Sequence, residues 1–130
     1  EVGSFDETMV ATEDRDLWFR VASRYEVALV PTVMAHYRLS PSSATTNPER
    51  MLKAQLKFIQ KHYGAEGCGR LSRRIALARV YKQHAEALWI RRQSWPALSS
   101  SLRSLAQYPL DIRNIRTMGS MLLRSIGRNL

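Results

Sequence analysis

The 130 residues hold a single cysteine, Cys68, so no internal disulfide can form, and nothing around it has metal-ligand spacing. No apolar run approaches the roughly eighteen residues of a membrane-spanning helix. The chain has no glycine-rich phosphate loop, and His36, His62 and His84 are too scattered to make a ligand set. No nucleophile–base pair is visible. Acids are scarce beyond the first fifty residues: residues 51–130 hold fifteen Lys and Arg against three acids, a net of +12. These shortages exclude a disulfide-stapled scaffold, a helical membrane span and a P-loop nucleotide binder. A reducing, cytoplasmic setting fits the cysteine usage.

What is present is an ordinary globular composition, 45% hydrophobic and 24% charged, with enough chain for one core and little room for two. Residues 1–50 carry five arginines against eight acids, a net of −3, while the whole chain stands at +9. An acidic segment is therefore followed by a strongly basic one. Such asymmetry fits phosphate-rich partners or anionic lipid, and it equally fits solvated helix faces. The start, Glu1-Val2-Gly3, has neither an initiator methionine nor a signal-peptide pattern, which is expected of a piece of something longer.

The periodicity predicts a helix over about residues 13–24, with Leu17, Trp18, Val21 and Ala22 at helical spacing. Thr12 suits the N-cap, and Glu13 and Asp14 suit a first turn whose dipole favours negative charge. Asp14 lies three and four residues before Leu17 and Trp18, on the inward edge of that helix. Its carboxylate either complements the dipole or meets a substrate hydroxyl. Asp16 and Arg20 read as an exposed pair, four apart on the outer side. Phe5 reads as an anchor under the helix, and Asp6 and Glu7 lie in a turn-rich loop.

Residues 26–31 and 33–39 read as two short strands that complete the edge of a larger sheet. A loop over residues 40–48 then divides the chain into segments 1–46 and 47–130. Beyond it the pattern is helical. Asn47 caps a helix with Pro48 first and Met51, Leu52, Leu56, Ile59 and Tyr63 on one stripe. A second spans about residues 70–92, and a third repeats Trp95, Leu98, Leu102 and Leu105. With Tyr81, Ala85, Leu88, Ala97 and Pro109 this pair resembles a single tetratricopeptide-type hairpin, read as packing. The last helix, about residues 110–126, carries Ile115, Met118, Leu122 and Ile126 on one face and several arginines around it. It either docks on its own bundle or lies on an anionic membrane surface. The expected fold class is α+β, mostly α, with about four helices in the basic extension.

Gly3-Ser4-Phe5-Asp6-Glu7, then Glu13-Asp14-Arg15-Asp16-Leu17-Trp18-Phe19-Arg20, then an apolar stretch ending at Pro31, then Tyr37-Arg38 follow in order. This order resembles the C-terminal part of the catalytic domain of family-two glycosyltransferases, inverting enzymes with a nucleotide-sugar-binding GT-A fold. The resemblance implies that Asp14 is the general base that takes the acceptor hydroxyl's proton. It places Glu13, Asp6, Glu7, Trp18 and Arg38 around the substrates; Arg38 either approaches a phosphate or packs along a strand. An aspartate is carried as the carboxylate at neutral pH, so position matters more than strength of the base.

The family's Mg²⁺ or Mn²⁺ is implied too, held mainly by the N-terminal half of the same protein. The only D-x-D match here, Asp14-Arg15-Asp16, lies inside the helix, and no metal site is assigned to it. Ser40 stands where many relatives place a histidine after the Y-R pair, which weakens any metal contact from this segment. The implied partners are a nucleotide-sugar donor and a sugar or lipid-linked acceptor, at the cytoplasm or the inner face of its membrane. By itself the piece is expected not to transfer sugar. Peripheral membrane contact and pairing with a second copy are left open. The competing reading is a basic helical interaction or nucleic-acid-binding module. Against nucleic acid stands the spread of basic residues over several helices, with no reading helix or aromatic platform.

Overall fold

A computed structural model describes residues 2–36, 46–63 and 69–126. Among the described residues the regular elements are helices: α1 (Glu13–Ala22), α2 (Pro48–Tyr63), α3 (Arg70–Ile90), α4 (Ser94–Gln107) and α5 (Ile112–Ile126). The α+β expectation is overturned, because residues 26–31 and the described part of 33–39 form no strand. Val27, Leu29, Val30, Val33 and Met34 instead stand 58–91% exposed. A strand needs a neighbour to take up its N–H and C=O groups, and none of the described residues supplies one.

Helix α2 begins where the local chemistry places it. Asn47 Oδ1 accepts the Arg50 N–H at 3.0 Å, and Pro48 takes the first helical position. Leu52, Phe58 and Ile59 are buried from this helix and pack with Val80 of α3. Met9 of the N-terminal segment, 1% exposed, belongs to the same cluster. The acidic and basic segments therefore meet in one core.

Helices α2, α3, α4 and α5 pack successively, each against the next. The turn between α3 and α4 is tight. Gln93 N–H donates to Leu88 C=O at 3.0 Å and Arg92 N–H to Trp89 C=O at 2.9 Å, the paired bonds of a Schellman ending. Arg92 occupies the left-handed position at φ 62°, where glycine is the usual residue. Arg92→Gly is expected to raise stability by roughly 0.5–1 kcal/mol, the left-handed penalty less glycine's extra chain entropy. A urea denaturation midpoint that falls instead would contradict this account of the turn.

The face that α4 buries is not its leucine stripe. Ala97, Ser100, Ser101 and Ser104 are buried, whereas Trp95 and Leu102 are exposed. Small side chains let α3 and α4 approach closely, and Ala78, Ala85 and Leu88 fill the facing side. The buried hydroxyls of α4 are all satisfied: Ser104 Oγ donates to Ala78 C=O at 2.7 Å, Ser101 Oγ meets Met121 Sδ at 3.8 Å, and Ser100 Oγ meets His84 Nδ1 at 2.8 Å. Among the described residues no helix is long and apolar enough to cross a membrane.

Candidate functional site

Helix α1 is attached to α2 by side chains rather than by close helix–helix approach, and the attachment centres on Asp16. This carboxylate is fully buried. Its Oδ2 accepts from Arg20 Nε at 2.9 Å, and its Oδ1 accepts from Lys61 Nζ at 2.8 Å and His62 Nε2 at 2.7 Å. Arg20 in turn donates to the carbonyls of Val2 and Ser4, which ties the N-terminal segment to the helix. The expected exposed pair is thus corrected to a buried charge cluster. Its key members, Lys61 and His62, come from the far end of α2.

Rings complete the seam. Phe19 and Phe58 meet edge to face at 5.6 Å, and the His62 ring lies 4.4 Å from Phe19 and 4.6 Å from Phe58. Arg15 covers the Phe58 ring at 4.8 Å. Burial alone would push the Asp16 carboxyl up, yet the hydrogen bonds from Lys61, His62 and Arg20 together hold it below the usual range. Lys61 is shifted up by its hydrogen bonds to Asp16 and then Asp6.

The loop before α1 is pinned from the same side. Asp6 Oδ1 accepts from Thr8 N–H at 2.9 Å and from Thr8 Oγ1 at 2.7 Å, which closes a tight turn. Lys61 Nζ reaches Asp6 Oδ2 at 2.7 Å, and Lys57 Nζ reaches Thr8 C=O at 2.5 Å. The Lys61 hydrogen bond and then those of Thr8 hold the Asp6 carboxyl far below its ordinary range. Asp6 is therefore a structural member of the loop and not free for an acceptor.

Glu7 and Glu13 do come together. With Phe5, Ala11 and Arg50 they line a cleft of about 510 Å³ beside the first turn of α1. Ala11 enters that turn in the left-handed region at φ 68°. Phe5, expected as a buried anchor, is 55% exposed at the cleft wall. Trp18, expected on the inward face, is 67% exposed. Arg38 and Tyr37 lie outside the described residues.

Asp14 is exposed and is not among the residues lining the cleft. Its Oδ1 accepts the Arg15 N–H at 2.6 Å, the first-turn donor that the N-cap side chain was expected to take. Thr12 occupies the N-cap position but makes no capping bond, and its buried Oγ1 has no hydrogen-bond partner. Asp14 has displaced it as the helix's first-turn acceptor. The second oxygen of Asp14 has no partner among the described residues.

Two other features were not legible in the chain. His84, dismissed as scattered, joins three helices: its Nδ1 meets Ser100 Oγ and its Nε2 meets Glu49 Oε1 at 3.0 Å. The order acid–imidazole–hydroxyl is that of a nucleophilic relay, but Ser100 is only 3% exposed and no substrate reaches it. The unit is a structural clasp between α2, α3 and α4. A concavity of about 650 Å³ lies between α3 and the α4–α5 connection, lined by Arg79, Lys82, Glu86, Tyr108 and Asp111. Its charges cancel, and it gathers none of the candidate residues.

No protein-family model, curated protein or solved structure matches this chain. The site is therefore judged on its own chemistry. A divalent cation does not fit the residues present. Both oxygens of Asp16 and both of Asp6 are already committed, to Arg20, Lys61, His62 and Thr8, and no cluster of three acidic, His or Cys ligands occurs among the described residues.

Proposed function

We propose that these residues form the acceptor side of an inverting, family-two-type glycosyltransferase, in which Asp14 takes the acceptor hydroxyl's proton. The observation that carries the reading is the opposite fate of two acids in one motif. Asp16 is consumed by Arg20, Lys61 and His62, while Asp14, two residues earlier, is exposed on the first turn with one oxygen unpaired. The fold spends one carboxylate on rigidity and leaves its neighbour available at a helix mouth that the first one anchors. Such a base needs only to be held within hydrogen-bond reach of the hydroxyl as the new bond forms.

On this reading an N-terminal half of the same protein holds the donor nucleotide and its Mg²⁺ or Mn²⁺. The acceptor is a sugar or lipid-linked hydroxyl at the cytoplasmic side. A second reading is favoured by one feature: Glu13, not Asp14, lines the cleft, so Glu13 is the rival for the base.

The test is made on the natural protein that contains this chain, with a panel of nucleotide-sugars. Release of nucleoside diphosphate with an acceptor product of inverted anomeric configuration is expected, and the 130-residue chain by itself should release none. A retained configuration, or no transfer with any donor, would remove the proposal.

A further inference from the structure

Helix α5 buries little of what it has. Met121 is 2% exposed against the serine face of α4, whereas Ile112, Ile115, Leu122 and Leu123 remain 41–73% exposed. At 3.6 residues per turn those four fall within an arc of about 100°, turned away from Met121. Arg116 borders the arc and is itself exposed. The helix sequence, IRNIRTMGSMLLRSI, contains three arginines and no acid. Leu110, just before it, is 76% exposed.

We infer that α5 lies in the plane of an anionic lipid surface, its exposed Ile and Leu side chains in the apolar layer and Arg116 at the headgroups. The charge decides between occupants. Pairing with a second copy would set two helices side by side that each carry three arginines and no acid, with no opposite charge on either to relieve them. A nucleic acid would satisfy the arginines and leave the apolar arc in water. An anionic bilayer takes up both at once. Spanning is excluded by length, since fifteen residues reach about 22 Å against a hydrocarbon core near 30 Å. The inference stands apart from the transferase reading, because it uses no residue of the α1 site.

The experiment is flotation of the full 130-residue chain with two vesicle types, phosphatidylcholine alone and phosphatidylcholine with phosphatidylserine. Binding is expected to the mixed vesicles and not to the neutral ones. Leu123→Asp should lower the partition about tenfold or more, through lost apolar burial. Arg116→Gln should lower it about fivefold, and both sites are exposed, so melting by circular dichroism should be unchanged. Leu29→Asp, at a still more exposed leucine far along the chain, should bind as the parent does. Four results would overturn the inference: equal binding to neutral vesicles, no binding at all, binding indifferent to Leu123→Asp, or a dimer in sedimentation that Leu123→Asp dissolves.

Discussion

Asp16→Asn is expected to destabilise the folded chain by about 3 kcal/mol and to release α1 from α2. Removing one member of a buried ion pair typically costs 3–5 kcal/mol, because the other member is left buried and uncompensated. The lower end applies here. Arg20 and Lys61 are 24% and 35% exposed, so each recovers some hydration once the carboxylate is gone. His62, 9% exposed between Phe19 and Phe58, recovers little. Hydrogen exchange should show residues 13–22 losing protection while α3 and α4 keep theirs. A melting curve within about 0.5 kcal/mol of the parent, the range of ordinary surface substitutions, would mean the cluster is ornamental.

The same cluster sets an acid limit. Asp16 and Asp6 both titrate below the ordinary value of 3.8 in the folded chain. A group whose folded value is depressed contributes fully above the unfolded value and loses that contribution as pH falls through the folded one. Lys61 is shifted the other way, so its contribution is whole below 10.5 and is lost as pH climbs through its raised value. Stability from these groups should be flat between those limits, with the acid loss confined to pH below about 4 and absent from Asp16→Asn at that carboxylate. Urea midpoints measured across pH would show a loss beginning well above 4 if the assignment were wrong.

The second large effect is on turnover. On the proposed transferase reading, Asp14→Asn in the natural protein should reduce transfer by about 10²–10⁴-fold with donor binding unchanged, the usual worth of a positioned general base. Asparagine keeps an amide oxygen that can still accept the Arg15 N–H, so the first turn of α1 retains its acceptor and the loss isolates proton uptake. Glu13→Gln should mainly raise KM, by less than tenfold, if its carboxylate only contacts the acceptor in the cleft. The reverse pattern, with kcat collapsing in Glu13→Gln and surviving in Asp14→Asn, would transfer the role to Glu13. Undiminished turnover in both variants would leave no base in this segment.

Short-range chemistry was readable along the chain. Asn47 followed by Pro48 announces the start of α2, and the stripe of Leu52 and Ile59 announces its buried face, because cap and period are properties of a few neighbouring residues. The start of α1 at Glu13 was legible for the same reason, although Asp14 and not Thr12 supplies the first-turn acceptor. The apolar stretch of residues 26–31 was legible as strand-like chemistry, yet strand formation depends on a partner outside itself, and among the described residues none is there.

What the tertiary structure decided is which polar groups are spent. Asp16 looked like a surface acid until Lys61 and His62, forty-five and forty-six positions later, arrived beside it. Asp6 looked free until the same lysine took it. The leucines of α4 looked like the core until its serines and Ala97 gave the closer approach to α3. Local sequence specifies where a helix begins and which side chains share a face. Burial is a contest among faces, settled by groups that the backbone brings together from far along the chain, and no window of neighbouring residues contains that information.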